Sequence, residues 1–428
     1  MSFQKRIALV SAFPPGPQTL NEYGMQLVKG FAARDDVGEI IVLADRAASP
    51  PIQELDLGAK VRVQRVWDFN HFGSQVRLLG AIRQAKADLV LFNLQTASFG
   101  DRALPAATGL CLPLMARLMG QTSGLILHDI SADIDLEPPL RTGPPLRPFL
   151  MRMAGKVVTR ALLGATYVTT TLPRYYDFLR SAAPRAHLAM VPHGTFEVGG
   201  DIHPPSQRPP CLNTMGTFGT YRRLETLISA FQRLRKQANF ADLELEIGGK
   251  DHPNAPGYMA ALKKTHADEP GIKFLADVGE EEVPDFFGRA RISVFDYAAA
   301  TGGSGWLHQA ITHGTVPIFP DIDDFVDMAR GQGLRGFHYA PNNVDSMVQA
   351  LTTALRAGRE LDEMSQSNLD AAGHMPFFKV IDHHMKTLGA LSHERPQAKA
   401  VATADISNMP MPASETPYSL FHKTPQEI

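Results

Sequence analysis

Apolar segments of strand length alternate with helical patterns along most of the chain, in two separate arrays. In the first array the strand-length segments fall at residues 6–12, 39–44, 61–66, 88–93, 124–128, 165–170 and 187–191, and the helical patterns at 22–33, 74–85 and 104–119. In the second array the strands fall at 211–216, 243–248, 272–275, 291–295 and 316–319, and the helices include 223–237 and 344–355. Because buried strands that alternate with helices form parallel sheets with helices on both faces, the sequence predicts an α/β fold of two doubly wound domains.

The stretch between the two arrays, Gly194 to Pro210, is rich in Gly, Pro and polar residues and has no periodicity. Such a composition is typical of an interdomain linker, and a chain of 428 residues is too long for one ordinary core. We therefore expect an N-terminal domain over residues 1–195, a linker over 196–210 and a C-terminal domain over 211–372. The tail, 391–428, is rich in Pro, Ser, Thr and Ala and is predicted to be disordered.

Composition narrows the class of protein. Charged residues make up 20% of the chain and the formal net charge is -2, so nothing favours a nucleic-acid partner. Two cysteines, Cys111 and Cys211, lie in different predicted domains and indicate neither a disulfide framework nor a metal cluster. The apolar run near the N-terminus has only about seven residues and no stretch of ~18 apolar residues occurs, so neither a signal peptide nor a membrane span is expected. A cytoplasmic protein is expected.

A glycine-rich turn, Thr301 to Gly305 (TGGSG), lies between a predicted buried strand and a helix in the second array. Ser304 is a good N-cap for that helix, and Gly314 is a usual signal for its end. A helix N-terminus presents free N–H groups and the positive end of a dipole, while glycine lets the backbone approach a ligand closely. The turn is therefore predicted to bind an anion. The alternative is an ordinary connection between a strand and a helix.

Polar residues follow several strands of the first array, where ligands of doubly wound sheets bind. Asn93, His128 and Asp129 each close an apolar strand and are candidates for this reason. A lone histidine at a strand end is more often structural, but Asp129 directly after His128 favours a functional site. The loop and helix start after the first strand contain Gly16, Asn21, Glu22, Tyr23 and Gly24.

A basic segment lies between Pro139 and His187, with eight basic residues against one acidic residue, Asp177. Apolar residues recur at helical spacing between Leu146 and Leu162, which indicates a basic amphipathic helix. Such helices bind anionic bilayers, so residues 141–185 are a candidate membrane-binding segment. The alternative is a surface helix that packs on its own sheet.

The order of these segments is similar to that of GT-B glycosyltransferases, and most of all to the large retaining family 4. The resemblance rests on a glycine-bearing N-terminal loop, His-Asp after the middle strand, VPHG before the linker, and then GTFGTYRR, EIGGK and TGGSGWLHQAITHG. It covers about residues 5–388. It implies two Rossmann-like domains that face each other across a cleft, with a C-terminal helix at 373–390 that crosses back onto the N-terminal domain.

The resemblance also implies a site for the diphosphate of a nucleotide sugar. Arg222, in GTFGTYRR, matches a basic residue that holds the diphosphate, and Thr217 stands where the family usually has an arginine. The turn residues implied at the diphosphate are Gly303, Ser304 and Gly305. The glycines implied in donor loops are Gly16 and Gly248.

Two glutamates that the family carries eight positions apart are replaced here by Thr301 and Gln309. Gln309 can still bind a ribose, because its amide donates and accepts hydrogen bonds, whereas Thr301 cannot replace a carboxylate. By resemblance, His128 contacts the donor sugar, and the catalytic candidates are His128, Asp129 and Thr301. The implied acceptor-binding residues are Asn21, Glu22, Tyr23 and Gly24.

The implied reaction is transfer of a hexosyl group from a nucleotide diphosphate sugar, with retention, to a glycan, a lipid-linked or a small-molecule acceptor. The departing diphosphate gains negative charge, which Arg222 and the N–H groups of the turn would stabilise without a metal. No cofactor is expected besides the donor substrate. An enzyme of polysaccharide biosynthesis at the inner face of the membrane fits this reaction.

Two other classes of protein remain open. Nucleotide-sugar 2-epimerases share the two-domain architecture and carry a similar turn, but they need carboxylates in the cleft and normally place glutamates after the turn, where this chain has Leu307, His308 and Gln309. A non-catalytic sugar-nucleotide-binding protein would explain the missing glutamates. Donor hydrolysis separates the binding protein from both enzymes, and product analysis separates the enzymes.

Overall fold

A computed structural model describes residues 4–16, 18, 20–46, 55–130, 155–196, 202–252, 254–275, 278–299 and 302–394. The described strands are β1 (Lys5–Ser11), β2 (Val37–Asp45), β3 (Val61–Trp67), β4 (Leu89–Leu94), β5 (Ser123–Leu127), β6 (Tyr167–Thr170), β7 (Leu188–Met190), β8 (Cys211–Phe218), β9 (Glu244–Asp251), β10 (Ile272–Phe274), β11 (Ile292–Val294), β12 (Val316–Pro320) and β13 (Phe337–Tyr339). The described helices are α1 (Asn21–Ala32), α2 (Phe72–Ala85), α3 (Ala103–Leu110), α4 (Leu112–Leu118), α5 (155–162), α6 (Pro173–Ala182), α7 (Glu225–Arg235), α8 (Tyr258–Thr265), α9 (Val283–Gly288), α10 (Gly305–Thr312), α11 (Asp323–Gln332), α12 (Val344–Arg356), α13 (Arg359–His374) and α14 (Phe377–Glu394).

The strands form two parallel sheets, as the alternating pattern predicts. The first has seven strands in the order β3-β2-β1-β4-β5-β6-β7, and the second has six in the order β10-β9-β8-β11-β12-β13. All neighbouring strands within each sheet run parallel. The strand order reverses beside β1 and β4 in the first sheet and beside β8 and β11 in the second. Such points open a crevice at the carboxyl ends of the strands, where ligands bind.

Helices bury both faces of each sheet. Strand β4 is buried at all six positions, which explains its continuous apolar sequence LVLFNL. The last helix, α14, packs on the first sheet although it follows the second in sequence. Its residues Phe377, Val380, Ile381 and Met385 belong to the apolar cluster that surrounds β1 and β2. Burial of such side chains contributes roughly 1.5–3 kcal/mol each, so α14 holds the two halves of the chain together.

Two local predictions were wrong. The single helix predicted at 104–119 is divided at Cys111 into α3 and α4. Pro113 lacks the N–H that would bond to the Gly109 carbonyl in a continuous helix, so the helix ends and restarts. The sequence interpretation also omitted β13, a three-residue edge strand too short to show a period.

Residues 139–154 of the predicted basic segment lie outside the described residues, and α5 and α6 are the described helices of the remainder. None of the described helices is long and apolar enough to cross a membrane.

Candidate active site

The glycine turn lies directly against the N-terminal domain. Gly302 has a φ of 84°, which favours glycine, and a Cβ atom at this position would lie 2.4 Å from the His128 carbonyl oxygen. The same atom would lie 3.2 Å from the Asp129 Cβ atom. Gly302 is therefore the turn position that needs glycine, both for its φ and for the close approach of the two domains.

The next residues of the turn are packed less tightly. Ser304 is the N-cap of α10, and its Oγ accepts a hydrogen bond from the Leu307 N–H at 3.3 Å. A Cβ atom on Gly303 would have Thr171 Oγ1 as its nearest neighbour, at 3.8 Å, and one on Gly305 would lie 3.7 Å from His193 Nε2, both ordinary contact distances. Gly303 and Gly305 are half-buried and Ser304 is buried, so the N-terminus of α10 lies between the two domains. Thr301 lies outside the described residues.

Arg222 is a buried cation with unused donors. The residue is 3% exposed, and its guanidinium carbon lies 5.0 Å from the centre of the Phe218 ring and 4.6 Å from that of Tyr297. Among the described residues, nothing accepts a hydrogen bond from its Nε or Nη2 atoms. Buried N–H groups normally have a hydrogen-bond acceptor, and buried charges are normally paired with an opposite charge. The environment of Arg222 therefore suits a bound anion.

Glycine at position 216 makes room for this guanidinium. A Cβ atom on Gly216 would lie 1.8 Å from Arg222 Nη1. A backbone bridge between Arg222 and Tyr297 joins the GTFGTYRR turn to the segment after β11. The turns after β8 and β11, at the strand-order reversal of the second sheet, are thus directly connected.

The remaining donor-side candidates have different environments. Thr217 is a half-buried residue of β8, and Gln309 is a half-buried residue of α10, one turn after Gly305. Gly16 packs on Asp45, where an added Cβ would lie 2.7 Å from a carboxylate oxygen.

The resemblance implied that Gly248 belongs to a donor loop. This was wrong, because Gly248 is a buried residue of β9 beside Phe286. The EIGGK position that requires glycine is instead Gly249, where φ is 132° and a Cβ atom would collide with the Gly216 carbonyl.

The four residues expected to bind the acceptor divide into two pairs. Asn21 and Glu22 are half-buried at the start of α1, and the Asn21 amide donates to the Gly16 carbonyl at 2.9 Å. Tyr23 is buried edge-on to the His128 and His193 rings. Gly24 lets α1 approach Ser11 closely, because a Cβ atom on Gly24 would lie only 2.5 Å from Ser11 Oγ. Tyr23 and Gly24 therefore serve packing, and their expected role in acceptor binding stays a prediction.

His128 is buried and neutral. Burial lowers the pKa of its imidazole to about 3. Its Nε2 lies 2.7 Å from Asn93 Oδ1, while the Asn93 amide nitrogen donates to Ser11 Oγ at 2.9 Å. The hydrogen on His128 is therefore assigned to Nε2, which leaves Nδ1 as an acceptor. Asn93, a candidate from its strand-end position, thus orients the histidine.

Asp129 is a carboxyl group beside the glycine turn. Its Oδ1 accepts hydrogen bonds from the backbone N–H and the hydroxyl of Thr96, the latter at 2.9 Å. Burial raises the pKa of Asp129 to about 6, and the nearby Asp324 carboxylate adds to this rise. Asp129 therefore titrates close to neutral pH, which suits a group that exchanges a proton.

The structure adds residues to the cleft that sequence reasoning missed. The rings of His193 and His308, one from each domain, stack with centres 4.6 Å apart. Asp324 bonds to the Gly302 N–H at 2.7 Å and to Tyr175 and Arg174 of the N-terminal domain. His193 had a sequence signal, since VPHG ends a predicted strand. Nothing in the sequence distinguishes Asp324 from the adjacent Asp323.

Among the described residues, no group of three or more His, Cys, Asp or Glu side chains is placed to hold a metal ion.

Known proteins resemble this chain in sequence and in fold. The family model for "Glycosyl transferases group 1" matches residues 209–357. Sucrose-phosphate synthase from Thermosynechococcus elongatus is similar in structure, with a TM-score of 0.68 and 15% identity over 92% of this chain and 100% of that chain. Anabaena HepE, solved with UDP and glucose, has a TM-score of 0.63 and 13% identity over 90% of this chain and 100% of that chain. No curated protein matches the sequence.

A third similar structure is trehalose-6-phosphate synthase OtsA, with a TM-score of 0.66 and 10% identity over 90% of this chain and 99% of that chain. These similarities confirm the predicted GT-B fold, and the family match confirms the resemblance to glycosyltransferases in the C-terminal domain.

Proposed function

We propose that this protein is a retaining hexosyltransferase that uses a nucleotide diphosphate sugar as donor. The observation that carries the proposal is Arg222, a buried guanidinium at the strand-order reversal of the second sheet, two of whose donor atoms have no acceptor among the described residues. A diphosphate would satisfy these donors and neutralise the charge. The glycosyltransferase family match over residues 209–357 supports the same assignment.

The reaction needs stabilisation of negative charge on the departing diphosphate. Arg222 and the N–H groups of Gly303 to Gly305 would supply it from two sides, as preorganised donors that need no rearrangement during the reaction. Gln309 follows Gly305 by one helical turn, which suits a contact with the donor ribose. No metal takes part in this proposal, because the cation and the backbone donors balance the diphosphate charge.

The sugar would lie between this phosphate site and the end of the first sheet. Neutral His128 would act there as a hydrogen-bond partner, since its low pKa prevents it from serving as an acid near neutral pH. Asp129 lies against the turn, and its carboxyl group, with a pKa of about 6, titrates near neutrality. We assign it the carboxylate function that Thr301 cannot supply.

The N-terminal domain would hold the acceptor at a membrane surface on the cytoplasmic side. On α5, one of the two described helices of the basic segment, the basic residues Lys156 and Arg160 accompany Val157, which is 61% exposed. On α4, Leu118 is 77% exposed and Met115 is also exposed. Exposed apolar side chains together with basic residues favour binding to an anionic bilayer, and hence a lipid-linked acceptor of polysaccharide synthesis.

One observation favours a second candidate, a nucleotide-sugar 2-epimerase. Such an enzyme needs acid and base carboxyl groups in the cleft, and Asp129 and Asp324 both lie beside the glycine turn. The two reactions differ in their products, because only the transferase moves the sugar to a second molecule.

The decisive experiment incubates the purified protein with UDP, GDP and ADP sugars, with and without anionic vesicles that contain lipid extracts as acceptors. Release of nucleoside diphosphate together with a glycosylated lipid would support the transferase, whereas an altered sugar on the intact nucleotide would support the epimerase. Arg222→Met should abolish either activity. Arg223→Met is the matched control, because the Arg223 side chain is 59% exposed and pairs with Glu225 at 3.9 Å. Binding without turnover of any donor would refute both enzymes.

A further inference from the structure

We infer that Asp324 is a positioning residue that fixes the glycine turn against the N-terminal domain. This inference rests on the proposed function for its consequence in the reaction, but the contacts themselves are structural. Asp324 lies in the first turn of α11, its side chain is 1% exposed, and its two oxygens bind groups from both domains.

The three contacts of the carboxylate are divided between its oxygens. Oδ2 accepts from the Gly302 N–H at 2.7 Å and from the Tyr175 hydroxyl at 3.0 Å. Oδ1 accepts from Arg174 Nη1 at 3.0 Å. Gly302 belongs to the donor-side turn, whereas Arg174 and Tyr175 begin α6 of the N-terminal domain. One carboxylate therefore connects the turn to the opposite side of the cleft.

The geometry of the turn shows why this connection matters. Gly302 lies so close to the His128 carbonyl that no Cβ atom fits between them. Since Asp324 accepts from the Gly302 N–H, the N–H groups that follow it, from Gly303 to Gly305, are the ones that would be left to bind an anion. Arg174 balances the negative charge of Asp324, which would otherwise repel a diphosphate nearby.

Ordinary packing joins the same elements and must be separated from this role. Leu172 and Tyr175 share an apolar cluster with Phe325 and Met328 of α11. This packing would hold α6 and α11 together without the carboxylate. A positioning role therefore predicts a local effect on the turn, whereas a purely structural role predicts loosening of the whole C-terminal domain.

Asp324→Asn is the informative substitution, because the amide keeps the volume but has one acceptor atom instead of two. Either Arg174 or the pair of Gly302 and Tyr175 then loses its acceptor, and in both orientations the Gly302 N–H loses its hydrogen bond to a charged group. Asp323→Asn is the matched control: that side chain is 81% exposed and lies 3.3 Å from Arg174 Nη2. Tyr175→Phe removes one donor and leaves the bond to Gly302 in place.

The measurement is hydrogen–deuterium exchange of peptides that cover residues 302–312, with peptides over 292–294 and 316–320 as internal references. Loss of a hydrogen bond to a charged group should speed exchange in the turn by about 10- to 100-fold in Asp324→Asn, with the reference strands unchanged. Asp323→Asn should match the wild type, and Tyr175→Phe should lie between them. Unchanged exchange in the turn, or faster exchange in all three regions, would overturn the inference.

A parallel titration with UDP, GDP and ADP connects the contact to function. The nucleoside diphosphate that binds the wild type should bind Asp324→Asn about 10-fold or more weakly and Asp323→Asn with unchanged affinity. If the wild type bound none of the three, the proposed function would fail, while the exchange experiment would still decide whether Asp324 positions the turn. Equal affinity of wild type and Asp324→Asn would refute the functional part of the inference.

Discussion

Replacement of Arg222 by methionine should remove diphosphate binding without weakening the fold. Methionine keeps an unbranched apolar stem between the Phe218 and Tyr297 rings and removes the charge and its donors. In most proteins, loss of a buried arginine is strongly destabilising. Here the opposite balance is expected, because Nε and Nη2 have no acceptor among the described residues.

The expected magnitude follows from opposing contributions. Two buried unsatisfied donors cost about 1–3 kcal/mol each, and methionine removes this cost. The two ring contacts of the guanidinium stabilise it by roughly 0.5–2 kcal/mol each, and these are lost. The free energy of unfolding should therefore fall by no more than about 2 kcal/mol, and a rise of up to about 5 kcal/mol is the more expected outcome. Affinity for a nucleoside diphosphate should fall by about 3–6 kcal/mol, the sum for two hydrogen bonds to a charged group.

Urea unfolding gives the first quantity, and calorimetric titration with UDP, GDP and ADP gives the second. Titration with the corresponding nucleosides is the internal control, since their affinity should barely change. Arg223→Met should leave both quantities as in the wild type. A loss of several kcal/mol in stability together with unchanged diphosphate affinity would show that Arg222 is a structural residue, and the phosphate site would have to be elsewhere.

Three further predictions address the turn, the membrane surface and the buried histidine. Gly303→Val should lower kcat by about two to three orders of magnitude, because blocking one phosphate donor costs ~2.7–4 kcal/mol. The fold should stay intact, because the nearest atom to the new Cβ is 3.8 Å away. Unaltered turnover and donor affinity would show that this turn does not belong to the active site. The protein should cosediment with anionic vesicles and be released as the salt concentration rises, because salt screens surface charges beyond a Debye length of ~8 Å at physiological ionic strength. Failure to bind anionic vesicles at low salt would count against a lipid-linked acceptor. Because the pKa of His128 is about 3 in the folded protein and about 6.5 when unfolded, protonation favours the unfolded state, so this residue should lower the free energy of unfolding by about 1.4 kcal/mol per pH unit below pH 6.5. His128→Gln should flatten the dependence of urea stability on pH between 6 and 4 by about one proton, and an unchanged slope would show that His128 is not held neutral.

The elements of both sheets follow from local sequence. A strand buried on both faces needs a continuous apolar run, and β4 lies within one residue of the predicted 88–93. The sequence also predicted the start of α10, because a serine N-cap acts within one helical turn. The break at Cys111 depends on a single proline, Pro113, inside an otherwise helical pattern. The pattern alone therefore predicted one continuous helix.

The environment of each side chain depended instead on how distant elements pack. The family resemblance made Tyr23 and Gly24 candidates for acceptor binding, but the docking of α1 on β1 and the ring contacts of Tyr23 bury both. Asp324 contacts Arg174, which lies 150 residues earlier in the chain, and no local pattern links the two. Backbone conformation is specified over a few neighbouring residues, whereas burial and hydrogen-bond partners arise only when two domains meet. The glycine turn was therefore visible in the sequence, and the carboxylate that fixes it became visible only in the folded chain.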